Sequence, residues 1–154
     1  MVTDPATARD AAASVIDPEL PVLTIEDLGM LRDVRVLPDN TVEVDITPTY
    51  SGCPALETIR SDIRRALQRE GFAEVRVRTV LAPAWSTDWI SEAGRRKLAE
   101  FGIAPPTPGG SGPVALELSV RCPRCGSTDT TETSRFGSTA CKGIWRGRSC
   151  LETF

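Results

Sequence analysis

The five cysteines are the residues with the clearest capacity for chemistry in this chain of 154 residues. Cys53 stands alone, and the other four follow near the C-terminus as Cys122, Cys125, Cys141 and Cys150. An odd number, mostly at one end, fits metal or thiol chemistry better than a disulfide framework. The chain has no histidine, which excludes Ser/His and Cys/His nucleophile–base pairs and 2-His-1-carboxylate iron sites. Any bound metal must therefore be held by thiolate or carboxylate.

The C-terminal cysteines begin with "CPRCG", residues 122–126, which is a metal knuckle in its simplest form. Its glycine permits the positive φ that aims backbone N–H groups at sulfur. A zinc ribbon needs a second Cys-x-x-Cys, because zinc takes four ligands in a tetrahedron. Residues 147–150 read Gly-Arg-Ser-Cys instead, so Gly147 stands where the third ligand is expected.

Three outcomes remain open for this tail. Cys141 could complete a four-thiolate zinc site if residues 141–147 loop back, but a straight strand would leave it about 20 Å away. Cys122, Cys125 and Cys150 could form a three-cysteine site, completed by water or another side chain or left to a labile iron–sulfur cluster. The tail could also be a metal-free ribbon packed around Phe136 and Trp145.

Cys53 has a special position because it directly precedes Pro54 and so occupies or adjoins the N-cap of a long helix. Backbone N–H groups and the helix dipole there favour a thiolate. The alternative is a small buried cysteine that fills space. Asp17 and Glu19 lie in a loop bracketed by prolines, where turn hydrogen bonding is their ordinary role. If that loop lies near Cys53, thiolate and carboxylates could hold an iron or iron–sulfur unit loosely.

Two of the three tryptophans lie in one loop, "APAWSTDWI". Trp85, Thr87, Asp88 and Trp89 are residue types that often anchor partners at loop tips. The alternative is that both rings cap the core at one end of the sheet while Asp88 holds the turn.

The elements that must position these residues follow from hydrophobic periodicity and turn signals. We expect an α-β-β-α-β-α order, with helices near residues 4–15, 54–71 and 91–102 and strands near residues 30–37, 41–47 and 73–81. This predicts an α/β (α+β) fold, a compact sandwich of helices against one sheet, with a small C-terminal β-ribbon. The predicted boundaries are a domain over 1–102, a Pro/Gly linker over 103–113 and a tail over 114–154.

The charge distribution and the N-terminus limit the function classes. Net charge is −3, yet residues 115–154 carry six basic and four acidic side chains. This mildly basic tail suits a docking surface and is weak support for nucleic-acid binding. No apolar run approaches membrane-spanning length, and the N-terminus shows no secretory signal. We therefore expect a cytoplasmic protein that binds no membrane.

Six motifs in this order give the chain a family resemblance: "DPELPVLTIEDLGM", "TPTYSGCPA", "APAWSTDWI", "GIAPP", "CPRCGS" and "FGSTACK". Together they resemble the phenylacetate-degradation accessory proteins of the multicomponent phenylacetyl-CoA epoxidase system, which are built on the MIP18-like iron–sulfur assembly domain. The Asp-Pro-Glu loop and the Gly-Cys-Pro turn mark the wider assembly family. The tryptophan loop and the cysteine tail mark the phenylacetate branch. The resemblance covers about residues 17–150.

This resemblance implies a non-catalytic factor that helps to mature a metal or iron–sulfur centre. It implies a transient cluster at Cys53 with Asp17 and Glu19 beside it, and zinc in the tail. The implied partners are the oxygenase or reductase subunits or iron–sulfur carriers. Two other classes stay open, a nucleic-acid-binding zinc-ribbon protein and a purely structural subunit, as does self-association. The acidic body and the single tyrosine oppose nucleic acid as a partner.

Overall fold

The computed structural model describes residues 4–106, 119–139 and 141–154. They divide into two compact units, Met1–Gly94 and Arg95–Phe154. Most of the predicted linker and of the strand expected near residues 114–120 lies outside the described residues. The domain boundaries that the sequence suggested therefore remain predictions.

The first unit is built on a three-stranded sheet in the order β1 (Leu31–Val36), β2 (Val42–Ile46) and β3 (Val75–Thr79). β1 and β2 form the predicted antiparallel hairpin, and β3 lies parallel to β2. A parallel pair needs a long crossover, which the helix between the two strands provides. The central strand has the most buried side chains: Val42, Val44 and Ile46 are fully buried.

Two helices pack against this sheet, α1 (Pro5–Ala13) and α2 (Leu56–Arg69), and they contact each other. In α2, Ile59, Ile63 and Leu67 repeat every four residues and are all fully buried. Burial of each such side chain stabilises the fold by about 1.5–3 kcal/mol. The predicted α+β sandwich is thereby confirmed, with its core between one helical layer and one face of the sheet.

Asp45 of β2 is a buried carboxylate on the strand pair's alternate positions, opposite in direction to the apolar side chains of the same strand. Its Oδ1 accepts from Arg78 Nε at 2.8 Å and its Oδ2 from Arg35 at 3.1 Å. The hydrogen bond from Arg78 lowers the pKa of Asp45, burial opposes that shift, and Arg35 adds to it. The two guanidinium groups thus allow a charge to be buried within the sheet.

The third helix, α3 (Glu92–Glu100), follows a single 3₁₀ turn at Thr87–Trp89. Ser91 caps it as predicted, because its hydroxyl accepts the Gly94 N–H at 3.0 Å. The second unit contains an antiparallel ribbon of β4 (Thr130–Ser134) and β5 (Ile144–Gly147). In the part of the chain that the structure describes, no helix is long and apolar enough to cross a membrane.

Candidate functional site

Three loops of the first unit meet at one edge of the sheet: residues 14–30 before β1, 47–55 after β2 and 80–91 after β3. They meet because β1 runs antiparallel to the other two strands. Thr47 joins all three, since its N–H donates to Met30 O at 2.9 Å and its hydroxyl donates to Val80 O at 2.7 Å. Sites in sheets with parallel strands commonly form at this carboxyl edge.

Cys53 lies in the second of these loops and is half-buried. The N-cap of α2 is Ala55, so Cys53 does not occupy the cap, one of the two placements that the sequence allowed. Its carbonyl instead accepts the Leu56 N–H at 3.2 Å, in a turn that precedes the helix. Gly52 has φ +76, and a Cβ added there would meet nothing within 4 Å. The space beside Cys53 is therefore open, as expected.

Asp17 is buried and serves its own loop. Its Oδ1 accepts the N–H groups of Glu19 and Leu20, both at 2.8 Å, which is the turn role that the sequence offered as the alternative. Glu19 reaches further, because Tyr50 donates its hydroxyl to Glu19 Oε1 at 3.4 Å. Tyr50 lies three residues before Cys53, so this contact joins the Asp-Pro-Glu loop to the loop of the cysteine.

The ligand atoms of Cys53, Asp17 and Glu19, all three of them described residues, do not lie together within the 4.8 Å that unites the tail cysteines described below. They are thus near one another in the fold without forming a preformed chelate. Their cluster-handling role stays a prediction. Tyr50, which links two of the loops, was missed, although it is the single tyrosine of the chain and stands inside a motif.

The tryptophan loop docks onto the first of the three loops. Trp85 donates its indole N–H to Leu28 O at 2.7 Å. A Cβ on Gly29 would lie 2.5 Å from Trp89 Cβ, so only glycine allows this approach. The Arg32 guanidinium lies 4.0 Å from the centroid of the Trp89 ring. Trp85 is half-buried, which supports the core-capping interpretation, and partner binding by this loop remains a prediction.

At the tip of the tryptophan loop, Ser86 caps the 3₁₀ turn by accepting the Asp88 N–H at 3.2 Å. Asp88 itself is exposed, and Thr87 is half-buried. The turn is thus shaped by a serine that was not among the residues predicted to matter. The two that were predicted, Thr87 and Asp88, lie on the side of the loop that could meet a partner.

The tail of the second unit brings together Cys122, Cys125 and Cys150, whose sulfur atoms all lie within 4.8 Å of one another. None of the five cysteines, all of which the structure describes, forms a disulfide. Cys122 is buried, and its Sγ lies 3.7 Å from that of Cys150. Two sulfurs bound to one tetrahedral zinc ion at about 2.3 Å would lie about 3.8 Å apart. The three thiols therefore fit a zinc ion, with Cys122, Cys125 and Cys150 as its ligands.

The first knuckle is closed by two backbone hydrogen bonds. Gly126 N donates to Cys122 O at 2.9 Å, and Cys122 N donates to Ser127 O at 2.9 Å. Gly126 has φ +75, as the sequence predicted. Backbone N–H groups of this turn are also aimed at sulfur. Burial raises the pKa of Cys122, but hydrogen bonds from the N–H groups of Cys125 and Arg124 outweigh it, so the pKa is lowered.

A second knuckle is present in the backbone although its first cysteine is missing. Leu151 N donates to Gly147 O at 3.0 Å, and Gly147 N donates to Glu152 O at 2.9 Å. These are the same two bonds, at the same spacing, as in the first knuckle. Leu151 has φ +62 where the first knuckle has a glycine. Residue 147 is thus the structural equivalent of Cys122.

Comparisons with known proteins agree with this division of the chain. The family described as "Iron-sulfur cluster assembly protein" matches residues 4–81, and the one described as "PaaD zinc beta ribbon domain" matches residues 107–154. The chain belongs to the iron–sulfur cluster assembly protein family. Its C-terminal part is a zinc β-ribbon of the PaaD type.

Members of this family and of its phenylacetate branch are similar to the chain over different lengths. A protein of Escherichia coli, provisionally named as the fourth (D) component of 1,2-phenylacetyl-CoA epoxidase, is 50% identical over 142 residues, which is 92% of this chain and 85% of that protein. An Fe–S protein maturation auxiliary factor of Porphyromonas gingivalis is 35% identical over 55% of this chain and 81% of its own length.

Solved structures of the family have the fold of the first unit. A domain of unknown function (DUF59) from Bacillus anthracis gives a TM-score of 0.57 at 30% identity and covers 61% of this chain and 90% of its own. A conserved hypothetical protein from Thermotoga maritima gives 0.53 at 31% identity, over 62% of this chain and 94% of its own. These likenesses, together with the sheet and helices above, confirm the predicted α+β class.

Within the zinc β-ribbon, Cys141 lies away from the three clustered cysteines. It follows the turn that connects β4 to β5, at the end of the ribbon opposite Gly147. The strand from Ile144 to Gly147 alone spans about 10 Å. The Sγ of Cys141 lies 3.0 Å from Thr139 Oγ1. The structure therefore does not bring Cys141 to the group, because β5 is extended where a ligand role required it to loop back.

The thiol of Cys150 differs from that of Cys122. A hydrogen bond from the Glu152 N–H lowers the pKa of Cys150, but burial and the neighbouring sulfurs of Cys125 and Cys122 raise it, and the net shift is upward. The pair therefore ionises in sequence, with Cys122 first. An arriving metal ion would meet a thiolate at the buried base of the group.

Proposed function

We propose that this chain is a non-catalytic accessory protein that assists the assembly or maturation of an iron–sulfur or other metal centre in a phenylacetyl-CoA epoxidase (ring 1,2-epoxidase) system. The observation that carries this proposal is the 50% identity to the Escherichia coli protein over 92% of this chain. The relatives named as maturation factors and cluster carriers support the accessory role. We expect it to act in the cytoplasm, where thiols stay reduced.

Cys53 is the proposed point of contact with the cluster, which is cargo here. The thiol lies at the edge where three loops meet, and the open space beside Gly52 leaves it approachable. Glu19 is held towards this loop by Tyr50. Because these side chains form no preformed chelate, the client or donor would supply the remaining ligands. Such shared ligation favours transfer over storage, since the cargo keeps ligands on both proteins.

The tryptophan loop is the proposed partner-binding surface. It borders the same edge as Cys53, so a partner docked there would bring its own ligands towards the thiol. Trp89 offers a ring already covered by Arg32, and Asp88 offers an exposed carboxylate at the tip. The proposed partners are the oxygenase or reductase subunits of the epoxidase system, or iron–sulfur carriers. In the tail, zinc would stabilise a unit too small to hold together well by packing alone.

The test replaces Cys53 by serine in cells that lack their own copy of the protein. Epoxidase components purified anaerobically from cells that carry the Cys53→Ser variant should contain less iron and sulfide, and those cells should grow poorly on phenylacetate. Cys141→Ser is the matched control, because that exposed thiol lies outside both sites. Full iron and sulfide content with Cys53→Ser would refute cluster handling at this residue.

A purely structural role in the epoxidase complex is the second candidate, favoured by Asp17, whose carboxylate is used within its own loop. It makes the opposite prediction in the same cells. Epoxidase components would keep their metal content with Cys53→Ser, but the subunits would fail to co-purify when the tryptophan loop is altered by Asp88→Lys. Iron content and complex formation, measured on the same preparations, therefore separate the two functions.

A further inference from the structure

We infer that the tail holds a thiophilic metal ion through three thiolates and leaves its fourth coordination position, beside Gly147, to a small exchangeable ligand. Water fills this position when no better donor is present. The sequence family implies a zinc ribbon, whereas the open position is a property of this chain.

The fourth position is defined by the repeated knuckle. Gly147 makes the same backbone hydrogen bonds as Cys122, so a side chain at residue 147 would project from the place of a first knuckle cysteine. A Cβ built on Gly147 lies 2.8 Å from Cys150 Sγ and 3.7 Å from Cys122 Sγ. The added atom therefore points at the thiols, into the group. Gly147 supplies no ligand, but its backbone keeps the shape of a ligand-bearing turn.

No other cysteine of the chain takes this place. All five cysteines belong to the described residues, and only three of them have sulfur atoms within 4.8 Å of one another. Cys141 stands beyond the far end of β5, and Cys53 lies in the other unit. A zinc ion with three protein ligands keeps an open position, which distinguishes sites that exchange ligands from closed structural sites.

The surroundings limit what the fourth ligand can be. Gly147 is buried and Cys150 is half-buried, while Cys125 is exposed. The position is therefore reached from the side of Cys125, and its inner end has room for little more than the missing side chain. We expect water, hydroxide, a small anion or a small thiol to bind, and bulky ligands to be excluded.

Cobalt(II) is the probe, because its visible absorption reports the number of thiolate ligands and the exchange of the fourth. The full chain, reduced and kept anaerobic, is titrated with Co²⁺ and then with azide or 2-mercaptoethanol. We expect one equivalent bound with a three-thiolate spectrum, which either added ligand shifts. Gly147→Cys should give a four-thiolate spectrum that neither ligand changes.

The Gly147→Cys variant is sterically reasonable. Gly147 is not among the described glycines with positive φ, and the closest atom to its added Cβ is the end of the flexible Cys150 side chain. If the binding free energy of a four-ligand site is shared evenly, the added thiolate should tighten zinc binding about 10²- to 10³-fold in chelator competition. Cys150→Ser should remove one thiolate from the wild-type spectrum.

Three results would overturn the inference. The first is a wild-type spectrum that neither azide nor 2-mercaptoethanol changes, since the fourth position would then be filled by the protein. The second is a spectral change on Cys141→Ser, which would identify that residue as the ligand. The third is failure of the wild type to bind Co²⁺ under conditions in which Gly147→Cys binds it. Each result is read from the spectrum and does not depend on the proposed maturation function.

Discussion

Gly29 is the position at which one added methyl group should loosen the tryptophan loop from the rest of the first unit. Its φ of +72 is costly for any residue with a Cβ, and that Cβ would lie 2.5 Å from both Cβ and the carbonyl oxygen of Trp89. Real Cβ atoms do not approach backbone this closely, so the loop must move by about 1 Å to restore ordinary contact. Gly29→Ala should therefore combine two separate costs.

The two costs can be estimated separately. The left-handed backbone conformation costs about 1–2 kcal/mol for alanine relative to glycine. Overpacking against a fixed backbone typically adds about 1–3 kcal/mol. Gly29→Ala should thus lower the free energy of unfolding by about 2–5 kcal/mol. Gly52→Ala is the matched control, because Gly52 has φ +76 with nothing within 4 Å of an added Cβ. It should cost only the first amount.

Chemical unfolding of both variants, followed by far-UV circular dichroism, gives the two free energies. Tryptophan fluorescence before the transition provides a local measurement, since Trp85 and Trp89 should become more exposed in Gly29→Ala and unchanged in Gly52→Ala. Equal destabilisation of the two variants would refute the reasoning, because the contact between Gly29 and Trp89 would then contribute nothing beyond backbone strain. A native-like fluorescence spectrum in Gly29→Ala would refute the docking of the loop.

Three further predictions concern charge, a second strained residue and the stacked tryptophan. Because hydrogen bonds from Arg78 and then Arg35 lower the pKa of Asp45, its contribution is present above the ordinary carboxyl pKa and is lost as pH falls below about 4. Asp45→Asn should cost about 1–3 kcal/mol at pH 7 and flatten the acid limb of a stability–pH curve. Leu151→Gly should relieve the φ of +62 and stabilise the second knuckle by up to about 1–2 kcal/mol, seen as tighter Co²⁺ binding; weaker binding would contradict this. Arg32→Ala should change the emission of its stacked tryptophan at a cost below about 1 kcal/mol, and an unchanged spectrum would show that no stacking exists in solution.

The regular elements were predictable because their signals are local. The four-residue spacing of Ile59, Ile63 and Leu67 identifies α2 and its buried face without reference to the rest of the chain. Alternation in residues 41–47 does the same for β2. The equivalence of residue 147 to a knuckle cysteine was also predictable, because it follows from counting back three positions from Cys150.

Features that depend on contacts distant in sequence were not predictable. Tyr50 and Glu19 lie 31 positions apart, and no pattern in one loop reveals the other as its partner. The location of Cys141 depended on whether β5 is extended, which its pairing with β4 decides. Leu151 gave no signal at all, since leucine rarely adopts a positive φ. Its conformation follows from the knuckle's hydrogen bonds, which hold the backbone there despite the side chain.

The two thiol sites differ in how far the protein itself completes the ligand set, and this difference bears on their proposed roles. In the tail, backbone N–H groups and two knuckles hold three sulfurs together before any metal arrives. Such a site binds because its ordering cost is already met by the fold. Cys53 has one thiol, an open space and a carboxylate held at the neighbouring loop. A cluster held there must borrow ligands and can leave with them, which is what a transfer site requires. Ligand removal should therefore show opposite effects: chelators should unfold or loosen the tail, whereas they should leave the stability of the first unit unchanged.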